Sequence, residues 1–330
     1  MHNKTNSTTA DDGLIRFPGC SKSFQPLGVG TWAWGDRSTW GMGGYDSTLT
    51  ESTIAEAWTA SIEAGVTLFD TAEVYGGGES ERIIGRLLAS NTDSSDDLVI
   101  ATKFFPSPLK LNVNRSLRDA ALGSLERLGV ETIDLYQLHG PISLRSHAAL
   151  AEALARVHEE GLVSAVGVSN YSIRETRSIH SELEKRGLLL ASNQIEFSPL
   201  RRAPEKSGLL AECVRLGVVP LAYSPLGQGR LTGKYSASNP PPGNRDFSAF
   251  PMEQVDPLVS VLADVGRHVE VMRTPSQVAA ALDHRQRGCS DSRREERWPG
   301  RAELGRVGLG SDSRADLTYR CDGIEWPPDS

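Results

Sequence analysis

Polar side chains stand at the carboxyl ends of successive apolar segments through most of this chain, and no other feature constrains its fold as strongly. Short β-branched runs alternate with stretches that carry apolar residues at helical spacing, which is the pattern of repeated β–α units. The predicted strands are Leu27–Gly30, Thr67–Asp70, Leu98–Lys103, Ile133–His139, Ala165–Ser169, Ser192–Glu196 and Val218–Tyr223.

The residues that end or directly follow these strands have polar or ionisable side chains that are suited to catalysis or binding. In a (β/α)8 barrel the carboxyl ends of all strands converge on one mouth, which is the face where catalysis takes place. In an open doubly wound sheet they would spread along an edge, and the GxG of Gly28 and Gly30 lacks the third glycine and the following helix of a dinucleotide fingerprint. The pattern therefore predicts an α/β fold, a TIM barrel over residues 25–282, preceded by a polar segment over residues 1–24.

Composition excludes several classes of function. The 330 residues carry 35 Lys+Arg against 42 Asp+Glu, a net charge of −7, whereas a sequence-independent nucleic-acid binder needs a basic face. No apolar stretch is long enough to span a membrane and the start carries no secretory or transit signal, so we expect a cytoplasmic protein without a membrane partner. The 4 cysteines have no metal-ligand spacing, so we expect free thiols and no metal. The oligomeric state stays open.

Four residues at the predicted mouth have complementary chemistry. The phenol of Tyr75 exchanges protons poorly at neutral pH, because its pKa is near ~10 unless a cation stabilises its anion. Lys103 supplies that cation if it lies close, and Asp70 beside it keeps the lysine charged. His139 is suited to donate a hydrogen bond to a carbonyl oxygen. The set predicts a proton relay that ends at a phenol, whereas simple solvation of the mouth is the alternative for any one of the four.

These residues resemble the catalytic tetrad of the aldo-keto reductases. The similarity extends over about residues 25–282 and includes the motifs Leu27–Trp32, Phe69–Ala72, Thr102–Lys103, Asp134–Tyr136, Gly167–Asn170 and Ala222–Gly227. The resemblance implies NADPH-dependent reduction of an aldehyde or ketone to an alcohol. By position, it makes Tyr75 the general acid, tuned by Lys103 and Asp70, and it makes His139 the residue that orients the carbonyl group.

The resemblance also implies a cofactor site. Ser169, Asn170 and Gln194 would hydrogen-bond the nicotinamide carboxamide, and Tyr223 would stack on the nicotinamide ring. The run that follows looks like the loop that wraps the pyrophosphate, with a Gly-rich surface loop as the alternative. Its candidate binding residues are Ser224, Leu226, Gly227 and Arg230.

Bulky rings in the predicted β–α loops are candidate walls of the substrate pocket. They are Trp32, Trp34, Trp40 and Phe105. Such rings would favour an apolar or aromatic carbonyl compound, and packing within the loops is the alternative for each of them.

The chain departs from the family after Leu282. The segment Asp283–Ser330 has nine arginines, no lysine and only five residues of the set Leu, Ile, Val, Met and Phe, so it buries too little apolar surface to offset its ordering entropy. We therefore expect a disordered tail in place of the family's eighth strand, which reads like VPIPG, and of its last helix. The stretch that would hold the 2′-phosphate of NADPH is missing with them.

A change of reading frame in the gene would account for this break. With codons chosen from those allowed for Leu282–Leu304, the same bases read one nucleotide later encode WIIAKGAVPIPGAKNGGQAELN, which contains the missing ending in order. A lineage-specific replacement tail is the alternative. Without an eighth strand, the first and seventh strands lack a partner, so we expect poor folding. Without the K-N-x-x-Q stretch of that ending, which would contact the 2′-phosphate, we expect weak discrimination between NADPH and NADH. An inactive product of a disrupted gene and a non-enzymatic cofactor-binding regulatory subunit therefore stay open as other functions.

Overall fold

A computed structural model of the chain describes residues 13–38, 49–91, 96–241, 247–268 and 272–280. Within these residues, a two-stranded antiparallel hairpin precedes a seven-stranded sheet whose strands follow the order of the sequence. The strands are β1 (Ile15–Arg16), β2 (Ser23–Phe24), β3 (Gly28–Gly30), β4 (Leu68–Asp70), β5 (Val99–Phe104), β6 (Ile133–Leu138), β7 (Val163–Ser169), β8 (Leu190–Glu196) and β9 (Val219–Tyr223). The helices are α1 (Glu51–Glu63), α2 (Glu79–Ser90), α3 (Val113–Leu128), α4 (His147–Glu159), α5 (Ile173–Glu184), α6 (Ala203–Lys206), α7 (Leu209–Arg215) and α8 (Met252–Arg267), followed by a short helix over residues 275–280.

Every strand that the sequence predicts is present, with ends that differ by one or two residues from the expected bounds. The pairs from β3 to β8 are parallel, and a helix lies between each pair of successive strands from β3 to β8. Parallel neighbours in sequence order with intervening helices are the pattern of a (β/α)8 barrel, which confirms the predicted fold class.

The register between strands aligns the residues that carry chemistry. Lys103 on β5 pairs with Gln137 on β6, and Gln137 pairs with Gly167 on β7. Further along, Ser169 on β7 pairs with Gln194 on β8. Register partners on parallel strands point to the same face of the sheet, so these side chains form rows near the carboxyl ends.

The chain divides into two compact units, and the larger one comprises residues 1–195 and 212–221. Its apolar core is formed by strand residues together with three residues of the hairpin, Phe17, Cys20 and Phe24. The sequence predicts a polar segment over residues 1–24. Within residues 13–24, the rings of Phe17 and Phe24 lie 4.7 Å apart and are buried.

The second unit comprises residues 196–211 and 222–330. Its core residues are Leu200, Leu231, Phe250, Met252, Val255, Leu258, Leu262, Val278 and Ala279. Helix α8 supplies four of them, since its apolar residues recur at spacings of three and four and form one stripe. Our prediction did not include this helix, which has Pro257 within its first turns.

The predicted replacement of the eighth strand by a tail over residues 283–330 lies outside the described residues. Within the described part of the chain, β3 and β9 stand at the two ends of the sheet order and each has one neighbour. No helix among the described residues has both the length and the apolar character needed to cross a membrane.

Candidate active site

Lys103 lies at the centre of the predicted relay, on β5, with a side chain that has no exposed surface. Its Nζ donates hydrogen bonds to Asp70 Oδ2 at 2.5 Å, to the backbone oxygen of Thr71 at 2.8 Å and to Tyr75 Oη at 3.4 Å. Burial lowers the pKa of Lys103, but the negative charge of Asp70 and the contact with Tyr75 outweigh burial and leave the pKa raised. The ammonium group is therefore charged at neutral pH.

Asp70 ends β4 and keeps 18% of its side-chain surface exposed. Its Oδ2 accepts from Lys103, and its Oδ1 accepts from Gln137 Nε2 at 3.2 Å and from Gln194 Nε2 at 2.9 Å. Both oxygens thus have charged or amide donors, which fixes the orientation of the carboxylate toward the lysine.

Tyr75 begins a short 3₁₀ turn, Tyr75–Gly78, directly after the loop that follows β4. Gly76 and Gly77 have φ of 56° and 64°, a left-handed conformation that glycine adopts without strain. Burial raises the pKa of Tyr75 and Lys103 lowers it, with the net effect a raised pKa. The cation acts in the predicted direction, but burial is stronger, so the phenol keeps its proton at neutral pH.

His139 directly follows β6, where its backbone N–H donates to the oxygen of Phe104 at 2.9 Å. Its ring lies edge-on to those of Tyr75 and Phe105, with centroids 5.5 and 6.3 Å away. Burial, reinforced by the charge of Lys103, lowers the pKa of His139 to about 4. The imidazole is therefore neutral at physiological pH and carries a single N–H.

Two of the predicted pocket rings lie beside these residues. The ring of Trp32 is 6.4 Å from that of Tyr75, and both Trp32 and Phe105 are 38% exposed. The backbone N–H of Phe105 donates to Glu73 Oε1 at 2.6 Å, which fixes the start of the loop that carries this ring. Two of the predicted pocket rings are therefore exposed and lie beside the relay residues.

The other two predicted pocket rings are Trp34 and Trp40. Trp34 is buried and its ring lies 6.5 Å from that of the fully buried Trp58 on α1. This contact favours packing of the loop for Trp34, the alternative stated above, over a pocket wall. Trp40 lies outside the described residues.

The three residues predicted to hold the nicotinamide form one hydrogen-bonded group in the larger unit. Ser169 Oγ donates to the backbone oxygen of Gln194 at 3.0 Å, and Asn170 Nδ2 donates to Ser169 Oγ at 3.1 Å. Asn170 has φ of 59°, a left-handed conformation that is uncommon for residues other than glycine but tolerated by asparagine. Such a conformation is often found at ligand-binding positions.

The remaining predicted cofactor residues belong to the second unit. Ser224 has φ of 54° just after Tyr223, and Leu226 precedes a 3₁₀ turn, Gly227–Thr232. Arg230 is buried, and its guanidinium donates to the backbone oxygens of Gly227 at 2.9 Å and of Phe250 at 2.6 Å. Arg230 therefore has a structural role in this loop in addition to the predicted contact with the cofactor.

Sequence reasoning missed Gln137, which is fully buried and donates directly to Asp70. The only signal was an amide side chain within the apolar strand Ile133–Leu138. It also missed Glu73, which accepts from the ammonium group of Lys110 at 3.2 Å. Among the described residues, no group of His, Cys, Asp and Glu side chains could hold a metal ion.

Comparisons with known proteins point to one protein family. The sequence model of the Aldo/keto reductase family matches residues 26–282, so the match stops where the resemblance noted above stops. The chain is 36% identical to chloroplastic pyridoxal reductase from Arabidopsis thaliana over 259 residues, which are 74% of this chain and 69% of that protein. It is 35% identical to an uncharacterised oxidoreductase from Mycobacterium tuberculosis, over 77% of this chain and 75% of that protein.

Solved structures give the same assignment. The glycerol dehydrogenase from Gluconobacter oxydans superposes with a TM-score of 0.72 at 25% identity, over 97% of this chain and 98% of the other. The thermostable aldo-keto reductase Tm1743 in complex with epalrestat gives a TM-score of 0.55 at 29% identity, over 66% of this chain and 74% of the other. The chain therefore belongs to the aldo/keto reductase family of oxidoreductases, which act on small-molecule carbonyl compounds with a nicotinamide cofactor.

Proposed function

We propose that the protein is an NADPH-dependent oxidoreductase that reduces an aldehyde or ketone to an alcohol, with Tyr75 as the proton donor. The observation that carries this proposal is the position of the Lys103 ammonium group, which donates hydrogen bonds to both the Asp70 carboxylate and the Tyr75 hydroxyl. A buried cation that touches a buried phenol suits that phenol to lose its proton, because the cation stabilises the resulting tyrosinate.

The proton transfer follows from the ionisation of these groups. Tyr75 is protonated at neutral pH, since its pKa is raised. An alkoxide is a much stronger base than a tyrosinate, so the proton passes from Tyr75 Oη to the oxygen of the substrate as charge develops there. Lys103 then faces the tyrosinate, and Asp70 keeps Lys103 charged throughout.

His139 acts as a neutral hydrogen-bond donor in this proposal. Its lowered pKa, about 4, means that it does not compete with Tyr75 as the source of the proton. Its single N–H would donate to the carbonyl oxygen and hold that oxygen near Tyr75. Edge-on packing against Tyr75 and Phe105 fixes the plane of the imidazole.

The polar group at Ser169, Asn170 and Gln194 fits a nicotinamide. The Ser169 hydroxyl and the Asn170 amide hydrogen-bond each other, and together with the Gln194 amide they complement the donor and acceptor of a carboxamide. When bound, the nicotinamide supplies the hydride that reduces the carbonyl carbon. We further propose, from the family resemblance, that Tyr223 stacks on the ring and that residues 224–230 hold the pyrophosphate.

The proposed substrate is an apolar or aromatic carbonyl compound. The half-exposed rings of Trp32 and Phe105 beside Tyr75 and His139 support this class. Relatives of this chain are named pyridoxal reductase, 6-dehydroglucose reductase and L-glyceraldehyde 3-phosphate reductase, all of which denote reduction of a carbonyl compound. The presence of all four relay residues argues against a non-enzymatic subunit. The proposal places this activity in the cytoplasm.

The test measures NADPH oxidation with 4-nitrobenzaldehyde, pyridoxal and glyceraldehyde as substrates. Two chains are assayed, the chain as it stands and a frame-restored chain, which is the gene product read in the alternative frame from codon 282 onward. We expect turnover by the frame-restored chain, fastest with the aromatic aldehydes, and little turnover by the chain as it stands. Absence of turnover by a folded, NADPH-binding frame-restored chain would refute the proposed reaction.

A further inference from the structure

Four register partners form one row across neighbouring strands of the larger unit: Lys103, Gln137, Gly167 and Ser192. Gln137 and Ser192 are both completely buried, although amide and hydroxyl groups are costly to bury without hydrogen bonds. The row begins at the relay lysine and ends at a hydroxyl. Its polar members therefore need partners within the sheet interior.

Gln137 satisfies its amide at both ends. Its Nε2 donates to Asp70 Oδ1 at 3.2 Å, and its Oε1 accepts from Ser192 Oγ at 3.2 Å. Because the amide plane is held at both the oxygen and the nitrogen, the side chain cannot turn without breaking both bonds. Ser192 thus determines which end of Gln137 faces the carboxylate.

Gly167 provides the space for this arrangement. A Cβ at this position would collide with Ser192 Oγ and would lie 3.0 Å from Gln137 Cγ. The backbone of β7 therefore passes directly against the two polar side chains, and any other residue at position 167 would force them apart.

Gln194 also donates to Asp70 Oδ1, at 2.9 Å, but from a different setting. It is 6% exposed and lies near the carboxyl end of β8, in the group proposed to face the nicotinamide. Asp70 Oδ1 therefore has one donor fixed inside the sheet and one donor at the proposed cofactor site.

We propose that Gln137 is a positioning residue of the relay, which keeps Asp70 paired with Lys103 when the amide of Gln194 turns to a bound nicotinamide cofactor. This inference rests on the proposed function, because it assigns Gln194 to the cofactor. In this proposal Ser192 orients Gln137, and Gln137 keeps its hydrogen bond to the Asp70 carboxylate. The amide of Gln194 can then leave Asp70 and bind the cofactor.

Both tests use the frame-restored chain. The first substitutes Gln137→Leu, which keeps the volume and removes the donor. Hydrogen bonds to charged groups contribute enough that its loss lowers kcat by roughly 10- to 100-fold. Ser192→Ala removes only the group that orients Gln137, so kcat falls by roughly 2- to 10-fold, and this milder variant serves if Gln137→Leu does not fold. Tyr136→Phe is the matched control, since this neighbouring hydroxyl is buried and has no hydrogen-bond partner among the described residues; its kcat stays at the wild-type value.

The second readout does not require turnover. The ammonium of Lys103, which faces Asp70, Tyr75 and His139, is followed by ¹H–¹⁵N spectra of the full chain over a pH series with and without NADPH. In the wild type and Tyr136→Phe, NADPH leaves the pH at which Lys103 loses its proton unchanged. In Gln137→Leu, NADPH lowers that pH, because Asp70 then loses both amide donors and its hold on Lys103 weakens.

The outcomes distinguish a failure of the positioning role of Gln137 from a failure of the proposed reaction. A Gln137→Leu variant with wild-type kcat, or with a Lys103 titration that NADPH does not change, overturns the positioning role. A frame-restored chain without further substitution that shows the expected Lys103 titration but reduces none of the three aldehydes refutes the proposed reaction and leaves the fixed contact between Gln137 and Asp70 supported.

Discussion

Replacement of Lys103 by methionine is the substitution whose cost follows most directly from the structure. The side chain of Lys103 is fully buried, and methionine fills a similar volume, so the main loss is the cation and its three hydrogen bonds. Breaking a buried ion pair from one side costs about 3–5 kcal/mol. Asp70 keeps two amide donors and 18% of its surface, so we expect the lower end, about 3 kcal/mol.

Thermal denaturation measures this cost. For a barrel of this size, about 3 kcal/mol corresponds to a fall in Tm of roughly 6–12 °C. The pKa of Lys103 is raised in the folded chain, so its contribution to stability is present at neutral pH and is lost as the pH rises through that raised value. The difference in Tm between wild type and Lys103→Met should therefore shrink at strongly alkaline pH.

Catalysis by Lys103→Met should fall together with stability, because the Tyr75 anion loses the cation that lowers the pKa of the phenol. The assay compares kcat against pH for the two frame-restored proteins at a temperature where both are folded. A variant with the wild-type pH profile and an unchanged Tm would refute the reasoning on both counts.

Three further predictions concern the other parts of the site. Tyr75→Phe should abolish carbonyl reduction. The Kd for NADPH, measured by fluorescence titration, should stay within about twofold of the wild-type value, because the phenol is not part of the group proposed to face the carboxamide. Retained turnover would exclude Tyr75 as the proton donor. His139 has a pKa of about 4, so its imidazole is neutral above that pH. The substitution His139→Asn should therefore lower kcat without adding or removing a transition in the profile of kcat against pH between about pH 5 and 8. A transition of the wild-type histidine near its ordinary pKa would contradict the lowered pKa. The chain as it stands should prefer NADPH over NADH less strongly than the frame-restored chain, because the K-N-x-x-Q stretch that would contact the 2′-phosphate is encoded only in the alternative frame. The preference of each chain is measured by titration with both cofactors. If the two chains show the same preference for NADPH, the segment Asp283–Ser330 replaces that stretch.

The sequence was sufficient to predict the strands and the residues that lie together at their ends, because both depend on local pattern. Apolar β-branched runs define strands such as Val99–Phe104, and their ends place Asp70 and Lys103 at one mouth once the strands are parallel. The hairpin Ile15–Phe24 escaped prediction, since strands of two residues are too short to show a period.

Other features depended on tertiary contacts that no local pattern contains. The role of Gln137 follows from the register that sets it against Lys103 and Gly167, and register is a property of pairs of strands. The direction of Trp34 is decided by the neighbouring Trp58 on α1. The direction in which the pKa of Tyr75 shifts depends on burial, which raises it, and on the charge of Lys103, which lowers it. The balance between the two follows from the packing around the ring, which no local pattern contains.

The most direct measurement of the central claim is isotope transfer within the frame-restored protein. NADPH carrying deuterium at both C4 positions is mixed with 4-nitrobenzaldehyde, and the alcohol is analysed by mass spectrometry, with Tyr75→Phe in parallel. The account predicts one deuterium on the alcohol carbon with the wild-type residue, and no alcohol from Tyr75→Phe although it binds NADPH. Alcohol without deuterium, or deuterated alcohol formed equally by Tyr75→Phe, would contradict it.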